Sequence, residues 1–138
     1  MEYQVRLAME PVRLLIVDEN PKVRHALVRR LGSMPQVEVL GSAGDVREAR
    51  EMVRKLSPDV VLIEPKRVDG QGFDLIQALA SEPQHPLIII LTSYRDEDEE
   101  MIADQLGISR YILKDINSQA LLDAILSLYR GRRQKGSS

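Results

Sequence analysis

Four places in this 138-residue chain carry groups that could act together: the acidic pair Asp18-Glu19, Glu64, the hydroxyl pair Thr92-Ser93, and Lys114. Each directly follows a short apolar run: Val12-Arg13-Leu14-Leu15-Ile16-Val17, Asp59-Val60-Val61-Leu62-Ile63, Leu87-Ile88-Ile89-Ile90-Leu91 and Arg110-Tyr111-Ile112-Leu113. Carboxylate oxygens suit a hard divalent cation, a hydroxyl can donate to a phosphoryl oxygen, and an ammonium neutralises the charge gathered there. The chemistry such a set suggests is the holding of a cation and a phosphoryl group.

The elements that would position these groups are legible from periodicity. The apolar runs are short and rich in β-branched residues, as strands covered on both faces should be. Val37-Glu38-Val39-Leu40 adds a further strand. Between the strands lie helical patterns. Asn20-Pro21 opens one that carries Val23, Leu27 and Leu31 and stops at Gly32; Asp45 caps one with Val46, Ala49, Val53 and Leu56, closed by Pro58. Gly70 and Gly72 lead into Phe73, Ile76 and Leu79, and Pro83 and Pro86 end that helix. Arg95 to Leu106 reads as a helix with Asp96, Glu97, Asp98, Glu99 and Glu100 in its first turns, where acids favour the dipole, and a thin apolar face of Met101, Ile102 and Leu106. Asn117 caps a last helix through Leu121, Leu122, Ile125, Leu126 and Tyr129. Strands joined by crossover helices must be parallel, so a doubly wound α/β sheet is expected, with ligands beyond the carboxyl ends of its strands. Residues 1–11 read as an extension, 12–130 as the domain and 131–138 as a basic tail with frayed ends.

Composition excludes several classes. The chain is 43% hydrophobic and 29% charged, with 8 Gly and 7 Pro, which is the balance of one folded domain rather than a low-complexity chain. It has no Cys, so thiol chemistry and Cys-type zinc sites drop out, and its two His, His25 and His85, have no paired ligand spacing. Gly70 and Gly72 are not followed by the GK[ST] signature of a phosphate-cradling loop. A net charge of −2 gives no strong positive field, so any nucleic-acid role must be local or indirect. No apolar run approaches the roughly 18 residues of a membrane span, and the amino end lacks a secretory pattern, so a cytoplasmic location is the default expectation.

The pieces LLIVDENPKVR, PDVVLIEPKRVDGQGFDLI, IIILTS and RYILKD, in this order and at these strand ends, resemble the receiver domains of bacterial two-component response regulators over about residues 12–130. The resemblance implies a flavodoxin-like fold, (βα)5 with strand order 2-1-3-4-5. In that family a strand-three Asp accepts a phosphoryl group from a histidine kinase with Mg²⁺, and a Thr and a Tyr then reorient the face around the fourth helix. Carried over residue by residue, Thr92 would be the hydroxyl sensor, Tyr111 the rotating aromatic and Lys114 the phosphoryl-pairing cation. Asp18, Glu19, Glu64 and the backbone carbonyl of Lys66 would be the metal ligands. Tyr111 also reads as a packed core aromatic.

This chain departs from the family pattern at two carboxylates. Glu64 stands where the phosphoacceptor Asp is expected, and Glu19 where the second acid is usually Asp. Each adds a methylene, an offset of about 1.5 Å that costs on the order of 100-fold in a positioned reaction. Arg67 and Val68 replace the usual apolar residue and Pro, and Asp115 follows Lys114 where Pro is common. The expectation is a degenerate receiver acting through protein–protein contacts with an output domain or partner protein, a histidine kinase being the candidate upstream partner, and with Mg²⁺ as the candidate cofactor, its site crowded by the two longer acids. An alternative is a small Mg²⁺-dependent phosphoryl-processing enzyme of the same topology. A weak two-fold dimer through helix 4, strand 5 and helix 5 is also expected, the acidic start of the fourth helix meeting Arg130, Arg132 and Arg133 of the other copy.

Overall fold

The computed structural model describes residues 10–66, 72–93, 96–108 and 110–136, without the side chains of Phe73 and residues 133–136. The expectations placed on Arg67, Val68, Gly70, Arg95 and the side chains of Phe73, Arg133 and Lys135 lie outside these residues. Among the described residues, β1 (Val12–Val17), α1 (Pro21–Gly32), β2 (Val37–Ala43), α2 (Val46–Leu56), β3 (Val60–Ile63), α3 (Gly72–Ala80), β4 (Leu87–Thr92), α4 (Glu97–Gln105), β5 (Tyr111–Leu113) and α5 (Ser118–Gly136) alternate along the chain. The strands form one parallel sheet in the order β2-β1-β3-β4-β5, the doubly wound arrangement expected.

The continuity of the apolar runs follows from cover on both faces. Leu14, Ile16, Leu62, Ile89 and Leu91 pack against Leu27 and Leu31 of α1 and Leu121, Leu122 and Ile125 of α5. The alternate residues Leu15, Val17, Val61, Ile63, Ile88 and Ile90 pack against α2, α3 and Ala103 of α4. Helix starts are fixed locally. The Asn20 side chain accepts from the amides of Lys22 and Val23, Asp45 from Glu48, and Asn117 from Ala120.

Three expectations are corrected. β2 runs on to Ala43 instead of ending at Leu40, because Gly41, Ser42 and Ala43 continue the backbone pairing with β1 beyond a bulge at Leu14/Leu15. In α4, Met101 is 58% exposed, and Ala103 is the residue buried against the sheet. α5 continues as helix to Gly136, past the point where frayed ends were expected at residue 131.

Glu82, in the turn after α3, is buried and receives Arg50 Nε at 2.9 Å and Arg54 Nε at 3.1 Å from α2. The hydrogen bond from Arg54, then that from Arg50, hold its carboxyl below the ordinary glutamate value of 4.5. Replacing Glu82 with Gln leaves two half-exposed guanidiniums without their anion, and is expected to cost about 2 kcal/mol at pH 7. Because the native carboxyl is depressed, its contribution is full above the unfolded value and lost as pH falls through the folded one. Urea unfolding of wild type and Glu82→Gln should therefore converge as pH drops below 4.5.

Candidate functional site

The sheet order sets β1 beside β3, with β4 and then β5 on the far side, so four strand ends deliver Asp18, Glu64, Thr92 and Lys114 to one edge. Backbone hydrogen bonds fix the register there: Glu64 N donates to Val17 O at 2.9 Å, and Lys114 N to Thr92 O at 2.8 Å. Asp18 and Glu64 are both buried.

The two acids converge on one cation. Lys114 Nζ lies 2.7 Å from Asp18 Oδ2 and 3.1 Å from Glu64 Oε1. The remaining oxygens are also engaged. Asp18 Oδ1 accepts from the Asn20 amide at 2.9 Å, and Glu64 Oε2 faces the Lys66 amide at 3.4 Å. Arg24 donates to the Asp18 carbonyl at 2.8 Å, tying the strand end to α1. In this buried setting, two carboxylates and one ammonium leave one net negative charge.

Thr92 is fully buried, and its Oγ1 has no hydrogen-bond partner among the described residues. A buried donor of that kind costs about 1–3 kcal/mol in the folded state. Glu19 lies half-buried at the same edge. Among the described residues, no group of three or more carboxylates or imidazoles converges in a way that could hold a metal ion.

Two side chains take on roles the sequence did not indicate. The ammonium of Lys66, a residue singled out only for its carbonyl, sits 3.6 Å from Glu99 Oε1 and 3.8 Å from Asp96 Oδ2, joining the loop after β3 to the start of α4. Glu99 in turn accepts the Tyr111 hydroxyl at Oε2, 2.8 Å away. The Tyr111 ring is half-buried against the core beside α3 and α4. Burial first, then the hydrogen bond to Glu99, push its phenol well above the ordinary tyrosine value, so it remains a proton donor. Nothing local in the sequence singles out Glu99 within the run Asp96 to Glu100. Only the orientation of α4 against β5 does.

A doubly wound parallel domain whose polar chemistry gathers at the carboxyl ends of β1, β3, β4 and β5 defines a class of signalling module. This chain belongs to the response regulator receiver domain family, whose profile matches residues 14–126. It is 36% identical over 121 residues to the DNA-binding transcriptional activator DevR/DosR of Mycobacterium tuberculosis, covering 88% of this chain and 56% of that protein. It is 32% identical over 120 residues to the transcriptional regulatory protein LiaR of Bacillus subtilis, covering 87% and 57%. The signal receiver domain of the NarL response regulator of Mycobacterium tuberculosis superposes with a TM-score of 0.78 at 26% identity, over 88% of this chain and 98% of that one. The chain spans little more than half the length of the two regulators. The alternative of a small phosphoryl-processing enzyme finds no support in this family or in the paired carboxylates. No helix among the described residues is long and apolar enough to cross a membrane.

Proposed function

We propose that this chain is a degenerate receiver, in which Glu64 occupies the phosphoacceptor position and signalling proceeds through protein contacts without Asp phosphorylation. The observation that carries this reading is the bridge from Lys114 Nζ to both Asp18 Oδ2 and Glu64 Oε1. The longer arm of Glu64 reaches the lysine that would otherwise pair with a phosphoryl group. Its carboxylate supplies about one negative charge where an acyl phosphate supplies up to about two, so it imitates part of the phosphorylated state. Attack by Glu64 on a phosphoryl donor would first require parting it from Lys114. Mg²⁺ binding is weak on this reading, because Asp18, Glu19, Glu64 and the Lys66 carbonyl must rearrange around the ammonium to take a cation.

The output is then set by the α4–β5–α5 side, which joins an output domain or partner protein, or a second copy of the chain. Exposed Met101 and the acidic start of α4 lie there, with Arg130 towards the far end of α5. Arg132 already donates to the His85 carbonyl within the same chain, so in a two-fold dimer it contributes less than Arg130. The relatives point to a transcriptional output that is carried outside this domain and controlled from it. The test is intact-mass analysis after incubation with acetyl phosphate and Mg²⁺. Wild type is expected to stay unmodified, and Glu64→Asp to gain one phosphoryl group. A stable adduct on the wild-type protein, mapped to any of its acids, overturns the reading.

A further inference from the structure

At the opposite end of the sheet, where β4 and β5 begin and α4 and α5 end, there is a cavity of about 550 Å³. It lies on the order of 16 Å, the length of β4, from the carboxylate–lysine cluster. Its apolar wall is made by Leu87, Ile88, Ile108 and Leu128, and its charged lining residues are Arg110 and Arg132, with no carboxylate among them. That volume is within the range of small-molecule sites, and an apolar wall with a few convergent polar groups is their usual composition.

The rim is a built feature. His85 holds a left-handed backbone, φ 48°, directly before Pro86, a conformation that few non-glycine residues adopt. Its amide donates to Glu82 O at 3.0 Å, and Glu82 is the carboxylate pinned by Arg50 and Arg54. The turn so fixed aims the His85 carbonyl at the Arg132 guanidinium, which donates to it. One edge of that planar fork is thereby anchored, leaving its other donors for a second acceptor. Arg110 makes no ion pair among the described residues.

We propose that this cavity binds a small organic carboxylate with a flat or compact apolar body, its carboxylate on Arg110 and Arg132 and its body on the Leu87–Ile88–Ile108–Leu128 wall. Guanidinium favours carboxylate because two parallel N–H donors match its two oxygens. An uncharged analogue of the same shape keeps the apolar contact and loses that match. The site does not depend on what Glu64 does, and it touches α4, β5 and α5 from their far ends.

Gly131 makes the proposal testable without damaging the fold. It lines this cavity and the shallower one beside it, and a Cβ built there meets nothing within 4 Å. A leucine at this position grows into open space and replaces a poor helix former with a good one. The experiment is an amide-resolved NMR titration of the whole chain with 2-naphthoate, with 2-naphthamide as the uncharged probe. Saturable binding with Kd on the order of 0.1–1 mM is expected, with shifts centred on Ile88, Ile108 and Leu128. The amide should bind about tenfold more weakly, as should naphthoate to Arg110→Gln and to Arg132→Gln. Gly131→Leu should abolish binding with no fall in melting temperature. The proposal is overturned by no saturable binding, by equal affinity for acid and amide, by shifts centred elsewhere, or by unchanged binding in Gly131→Leu.

Discussion

Replacing Lys114 with methionine is expected to lower the free energy of unfolding at pH 7 by about 3 kcal/mol, the range seen when one partner of a buried ion pair is removed and the other is left behind. Here two partners are left. Asp18 and Glu64, whose side chains are only 4% and 8% exposed, would face each other across the place of the ammonium with no cation between them. Glu64→Gln is the contrasting change. Its amide oxygen still accepts from Lys114 while the Asp18–Lys114 pair survives, so a cost below about 1 kcal/mol is expected. Urea unfolding of the three proteins at pH 7 measures the asymmetry. Equal losses for the two variants would mean that the cluster is screened by solvent and not a buried charge set.

Much of the scaffold could be read from the chain because its signals are local. The cap at Asn20, the cap at Asp45 and the apolar runs of β1, β3 and β4 each depend on a few adjacent residues, and each stands where expected. The misses arise where tertiary pairing overrides composition. Gly41, Ser42 and Ala43 are poor strand formers, yet they are held in β2 by backbone pairing with β1. In α4 the large residue Met101 looks like core, but the small Ala103 is the one that fits the close approach to the sheet.

The site divides in the same way. Asp18, Glu64, Thr92 and Lys114 were legible because strand ends in a parallel sheet share an edge, whatever the details of packing. That Glu64 would sit near Lys114 was legible too, but that Asp18 would share the same ammonium was not. That Lys114 reaches across β4 to two acids depends on the strand order and on the extra methylene of Glu64. The connection from Lys66 through Glu99 to Tyr111 depends on the rotation of α4 about its own axis, which an acidic run with several equivalent carboxylates does not encode. Gly72 was a further miss of this kind. In the sequence it is a loop glycine ahead of a helix, and in the fold it is a contact with the strand end that carries Glu64.

Gly72→Ala is expected to destabilise the protein by about 3 kcal/mol and to disturb the site at the same time. A Cβ at Gly72 would lie 1.7 Å from the Pro65 carbonyl oxygen and 2.6 Å from its carbon, and both are backbone atoms that cannot swing aside. Either α3 must back away from the sheet or Pro65 must move. Pro65 joins Glu64 to Lys66, so its displacement carries the carboxylate off Lys114 and the Lys66 ammonium off Glu99. Gly32→Ala is the matched control, since a Cβ there meets nothing within 4 Å and the residue is helical. It should gain roughly 0.5–1 kcal/mol from helix propensity. Thermal unfolding separates the two, and the amide resonances of Lys66, Glu99 and Tyr111 should shift in Gly72→Ala alone. A Gly72→Ala protein as stable as wild type, with those resonances unmoved, would show that α3 retreats freely and that its approach to Pro65 does not position Glu64.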